Sequence, residues 1–187
     1  MNFAAIDFET ANHWDESICA AGLAVFENGR MVESRHWLIR PPRGFGGFRD
    51  DFIAVHGIRH TDVYGQPEFP AIAPEIFIRL AATDIVIAHK ADFDMRKLRG
   101  TAKYFGLKVP AFDYLCTCQL ARRVWPQLPD HQLPSVAAHI GHEFVHHNAL
   151  ADAEAAGLIL LAMMQAFRAT GPRALAEMLG LRPMAIV

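Results

Sequence analysis

At 187 residues, 52% of them hydrophobic and 20% charged, the chain suits one globular domain spanning 1–187 rather than two domains or a disordered segment. A formal net charge of −2 excludes a strongly basic protein that coats nucleic acid by neutralising many phosphates; it leaves open enzymes that meet a strand only at its end and bring cations of their own. Cys19, Cys116 and Cys118 are odd in number and lack C-x-x-C spacing, which excludes a disulfide framework or zinc ribbon, and the absence of a basic leader or a bilayer-length apolar run predicts a cytoplasmic protein with no membrane association.

In chain order, residues 2–8 read as a buried strand, and 17–27 and 31–39 as two more, joined by the tight-turn pair Asn28-Gly29. The Pro/Gly/Arg-rich stretch from Arg40 to Gly47 reads as a long loop, either beside the substrate or an ordinary surface connection. Apolar residues at helical spacing predict a helix over 68–82, and the run Asp84 to Ala88 a fully buried strand. A helix over 92–105, a strand over 112–115 and a helix over 116–124 ended by Pro126 follow. The last third reads as helices over 133–140 and 149–170 and a proline-led turn over 172–179. This order predicts an α/β domain, a mixed five-stranded sheet with helices on both faces.

Three segments carry candidate chemistry. At the end of the first strand Asp7 and Glu9 alternate onto one face, where two carboxylates either bind a divalent cation or form a solvated strand end. The segment His89-Lys90-Ala91-Asp92-Phe93-Asp94 follows a buried strand and opens a helix, so Asp94 is either a ligand at the strand's carboxyl end or a helix cap. His147 stands five residues before Asp152 at the entry to the long helix, a spacing that can set an imidazole and a carboxylate around one reacting water, or a capping segment followed by a solvated acid.

Taken in order, Asp-Phe-Glu-Thr, Ala-His-x-Ala-x-Phe-Asp and His-x-Ala-Leu-x-Asp-Ala resemble the three motifs of the DnaQ-like (DEDDh) 3′→5′ exonucleases, the family of the bacterial DNA polymerase III proofreading subunit, over about residues 2–161. The resemblance implies a ribonuclease H-like fold, catalytic Asp7, Glu9, Asp94, His147 and Asp152, and two divalent cations, Mg²⁺ or Mn²⁺, held by the four carboxylates with His147 as general base. It implies release of nucleoside 5′-monophosphates from the 3′ end of single-stranded nucleic acid, DNA favoured over RNA, with Phe8, Thr10, His56, Ile58, His89, Lys90 and Phe93 near the substrate. His146, adjacent to the base, is expected to point elsewhere, and the remaining histidines to hold surface or hydrogen-bonded structural roles. Two departures fall outside the ligands: Lys90 stands where the family usually has Asn, and Cys116-Thr117 where Asp-Thr is common. With nothing beyond Val187 to tether a polymerase, a stand-alone enzyme is expected, and a homodimer stays open. The alternatives are an oligoribonuclease-like or RNase T-like trimmer of RNA ends, a phosphatase or nucleotide hydrolase, and a binding module with reduced catalysis.

Overall fold

The computed structural model describes residues 2–186. Strands β1 (Asn2–Thr10), β2 (Ile18–Glu27) and β3 (Arg30–Leu38) form an antiparallel meander, followed by helices α1 (Asp50–His56), α2 (His60–Val63) and α3 (Phe69–Ala82). Then come β4 (Ile85–Ala88), α4 (Ala91–Tyr104), β5 (Asp113–Cys116), α5 (Thr117–Val124), α6 (Leu133–His139), α7 (Ala149–Phe167), α8 (Pro172–Met178) and β6 (Met184–Ala185). The sheet order is β3-β2-β1-β4-β5-β6, with β1, β4 and β5 parallel and the outer pairings antiparallel. The predicted mixed sheet is therefore present and is one strand wider than five. The two-residue β6 pairs only with Asp113 and Tyr114, and helices α1 and α2 occupy a stretch in which no element was predicted.

Alternation along β1 divides the core in two. Ala4, Ile6 and Phe8 join a cluster with α3 and α4, whereas Phe3 and Ala5 join one with α7 and its neighbours α5, α6 and α8. Phe3 stacks on Phe26 across the β1–β2 pair, with ring centroids 4.7 Å apart. α7 lies so close to this face that two glycines are required. A Cβ on Gly22 would overlap the Ala149 carbonyl at the start of α7, and one on Gly157 would overlap the Phe26 ring.

By length and composition α7, with 19 residues and a mean hydropathy of 1.5, would suffice to cross a bilayer, contrary to the expectation that no run comes near that length. Here Ala153, Ala156, Ile159, Leu160 and Met163 are buried against the sheet, so a helix apolar on most sides is a core helix.

Candidate active site

The parity that sends Phe3 and Ala5 toward α7 sends Asp7 and Glu9 the same way. Asp152 projects from the first turn of α7, where Asn148 caps the helix by accepting the Ala151 N–H at 3.1 Å. Gly22 faces Asp7 across the β1–β2 ladder, and its missing side chain lets the start of α7 descend. Carboxylate oxygens of Asp7, Glu9 and Asp152 consequently lie within 4.8 Å of one another. Asp94 arrives from the opposite face. Pairing between β1 and β4 stops at Ala5 and Ile87, which leaves the Phe8 N–H free to donate to Asp94 Oδ1 at 3.1 Å. A helix-capping role for Asp94 is thereby replaced by a contact to the neighbouring strand.

Four carboxyl groups packed this way resist ionisation. Burial raises Asp7 well above the ordinary range, and Asp94, Glu9 and Asp152 add to it. Burial followed by Asp152 and Asp94 pushes Glu9 up to about 8. Asp94 is also raised by burial, although the Phe8 N–H opposes the shift, and Asp152 is raised by burial while His146 opposes it. Among the described residues, the groups that oppose these shifts are backbone N–H donors and His146. Closely spaced oxygen donors fit hard divalent cations with oxygen ligands.

These residues floor an open cleft of about 610 Å³, within the roughly 300–1,000 Å³ of pockets that enclose one small ligand. His147 enters it with a left-handed backbone, φ 64°, an arrangement that histidine adopts more readily than most residues. Its N–H donates to Asp152 Oδ1 and Oδ2 at 3.2 and 3.3 Å, and its ring carries no hydrogen bond among the described residues. His146, expected to point away, is also in the cleft: its Nδ1 is 3.0 Å from Asp152 Oδ2, and its ring stacks on that of His147 at 3.7 Å. The backbone reversal at His147 is what brings adjacent side chains to the same side. Desolvation, then His146, His56 and Lys90, lower the His147 pKa below the usual value.

The other expected substrate contacts divide. Phe8, Thr10, His56, His89, Lys90 and Phe93 line the cleft, but both imidazoles are already engaged. His56 accepts from the Ile58 N–H at Nδ1, 3.0 Å, and its Nε2 lies 3.1 Å from the Thr10 carbonyl, tying α1 to the end of β1. His89 lies 2.9 Å from both Thr117 Oγ1 and the His131 carbonyl, and burial drives its pKa down to about 4. Ile58 does not line the cleft; it packs against Ala11, Cys19 and Val63. Nor does the 40–47 loop, which Asn12 holds through Nδ2 bonds to the Phe45 and Gly47 carbonyls at 2.7 and 2.8 Å. Val55 of α1, next to His56, also lines the cleft, and Asp51 and Phe52 of α1 with Gln132 and Leu133 at the start of α6 complete the walls; no motif in the sequence points to these last four.

A family model described as exonuclease (RNase T) matches residues 4–160. This chain belongs to the DEDDh 3′→5′ exonucleases. Among curated relatives of this exonuclease, DNA polymerase III subunit epsilon of Aquifex aeolicus is 29% identical over 167 residues, covering 87% of this chain and 80% of that protein. The PolC-type DNA polymerase III of Caldanaerobacter subterraneus is 25% identical over 178 residues, and the 3′-5′ exonuclease DinG of Bacillus subtilis 27% over 174. The exonuclease spans only 12% and 18% of those two longer proteins, against 94% and 90% of its own length. It shares its fold with exonuclease X solved with 5′-overhanging duplex DNA, at a TM-score of 0.75 and 22% identity over 95% of this chain and 99% of that one. Escherichia coli exonuclease I, solved with a dA16 oligonucleotide, gives a TM-score of 0.78 at 14% identity over 94% of this chain and 42% of that one.

Proposed function

We propose that this exonuclease removes nucleotides one at a time from the 3′ end of single-stranded nucleic acid, DNA in preference to RNA, releasing nucleoside 5′-monophosphates. The observation that carries this reading is the convergence of Asp7, Glu9, Asp94 and Asp152, whose carboxyl groups hold one another's pKa up, beside His147 in one open cleft. In this reading Asp7, Glu9, Asp94 and Asp152 would hold a pair of divalent cations, Mg²⁺ or Mn²⁺ by the hardness of the oxygen donors. Such a pair, when bound, supplies charge stabilisation to the attacking and leaving oxygens of an in-line displacement.

His147 accepts the proton of the attacking water; its lowered pKa keeps the ring neutral at physiological pH. Phe93, 37% exposed at the cleft rim, offers an apolar face to the terminal sugar or base, a contact that tolerates any sequence. In this reading a single terminal nucleotide enters the cleft, and a paired end frays first. The preference for DNA is supported by the polymerase relatives, and the proposal concerns the chemistry of this domain alone. The test is digestion of 5′-labelled single-stranded DNA, duplex DNA, RNA and dinucleotides with Mg²⁺ or Mn²⁺. A ladder shortening by single nucleotides from the 3′ end, fastest on single-stranded DNA, is expected. Internal cuts, or activity confined to dinucleotides, reject it.

A further inference from the structure

Beside the four-carboxylate floor lies a second donor set of different chemistry. His146, His147 and Asp152 each offer an atom within 4.8 Å of the other two. Two imidazoles and one carboxylate are the ligand complement of borderline transition ions, unlike the all-oxygen set on the floor, and tetrahedral zinc accepts three such ligands with its fourth position open. We propose that His146, His147 and Asp152 form a zinc site that shares Asp152 with the catalytic cations and so makes the enzyme sensitive to zinc.

The neighbouring groups favour this set. Of the four histidines lining the cleft, His56 and His89 have both ring nitrogens committed to the chain, whereas among the described residues the His147 ring has no hydrogen-bond partner and that of His146 bonds Asp152 alone. The His146 Nδ1 lies 3.2 Å from Asp152 Oδ1 and 3.0 Å from Oδ2, so the proton there occupies the space an ion would take, and it moves to Nε2 or is released when the ion binds. Rings stacked with centroids 3.7 Å apart and planes inclined by 26° do not yet aim two in-plane lone pairs at one ion, so the stack has to splay further. The His146 side chain, 30% exposed, has room to turn. The three thiols are buried and do not compete.

Zinc held here takes Asp152 from the catalytic set and the ring nitrogen of His147 from the water, and hydrolysis stops; this consequence rests on the proposed function, whereas binding does not. Binding is therefore measured first, by titrating the metal-free chain with Zn²⁺ in millimolar Mg²⁺ against a chromogenic zinc chelator. The wild type should retain one zinc per chain that Mg²⁺ does not displace. Even partners outside the ligand sphere are worth roughly 10–100-fold in metal affinity, so His146→Asn and His146→Gln should each weaken zinc by at least about 10-fold while Mn²⁺ binding, followed by water-proton relaxation, is unchanged. In the nuclease assay the same variants should need about 10-fold more zinc for equal inhibition. Zinc displaced by Mg²⁺ in the wild type, or bound equally tightly by both variants, overturns the proposal. Zinc held through His146 by a chain that digests no substrate supports the site and counts against the functional reading alone.

Discussion

The floor of the cleft and its histidine wall are built on opposite principles. Asp7, Glu9, Asp94 and Asp152 sit on two-sided, buried elements, β1 at the centre of the sheet and the first turns of α4 and α7, and the last two are only 1% and 3% exposed. His146 and His147 sit on a turn between α6 and α7, partly exposed, with one residue in the left-handed region. Groups that must stay close despite mutual repulsion need a scaffold too stiff to relieve the repulsion by moving. The proton acceptor proposed at His147 needs only reach, and a left-handed turn supplies it.

Removing a floor ligand should have the largest effect on catalysis and the least cost to the fold. Asp7→Ala should abolish cleavage and tight binding of the cation pair. Without metal its melting temperature should equal or exceed that of the wild type, because repulsion with Glu9, Asp94 and Asp152 is relieved. A large fall in metal-free stability would show that Asp7 holds the fold rather than the cations.

Moving the floor without removing a ligand comes next. Gly22→Ala sets a Cβ against the Ala149 backbone, which cannot turn aside as a side chain can. It should lower stability by about 3 kcal/mol or more and, by lifting Asp152 from Asp7, lower turnover by ~10²-fold, as an ångström of misplacement does. Gly157→Ala meets the Phe26 ring two turns along the same helix and should lower stability with a much smaller loss of turnover in the protein that folds. Equal loss of activity per unit of stability in both variants would show that Gly22 has no special hold on the site.

The wall gives a smaller, pH-dependent effect. His147→Ala should reduce turnover by ~10²–10⁴-fold with cation affinity nearly intact. A base whose pKa is lowered stays unprotonated to lower pH, so the acidic limb of wild-type turnover should lie below the ordinary histidine value and vanish in His147→Ala. Turnover lost instead in His146→Ala, with the limb surviving in His147→Ala, would transfer the role of base to His146.

The contrast also explains what could be read from the sequence. The floor was legible because its residues lie on elements with strong patterns: strand alternation puts Asp7 and Glu9 on one face, and the apolar runs before Asp94 and after Asp152 announce β4 and α7. Resemblance then joined segments that no local pattern connects. The wall was less legible. The reversal at His147 that turns His146 into the cleft is a backbone dihedral, and α1, with seven residues and none buried, has no periodicity to detect. β6 exists only through pairing with β5. Gly22 did carry a signal, since a glycine inside a strand pattern marks a close approach, but not the identity of what approaches.

Lys90 joins the two regions, at the rim of the cleft and at the head of the helix that carries Asp94, and its replacement should give the smallest and most divided effect. The residue is left-handed, φ 64° and ψ 45°, and its side chain caps nothing. A left-handed conformation costs an ordinary residue roughly 1–2 kcal/mol, a cost that Asn, the residue usual in this family, largely escapes while also offering an oxygen to the first turn. Lys90→Asn should therefore stabilise the protein by about 1 kcal/mol. A cation at the rim persists in the wild type despite that cost, which suits a contact with a backbone phosphate of the incoming strand. Loss of one such contact should raise KM and reduce the slope of log affinity against log salt by ~0.7 for a single strand. Thermal melts and a salt series on the same variant separate the two effects. Higher stability with an unchanged slope removes Lys90 from the substrate path, whereas a flatter slope with unchanged stability shows that the helix start is relaxed and that the lysine's place there is purely electrostatic.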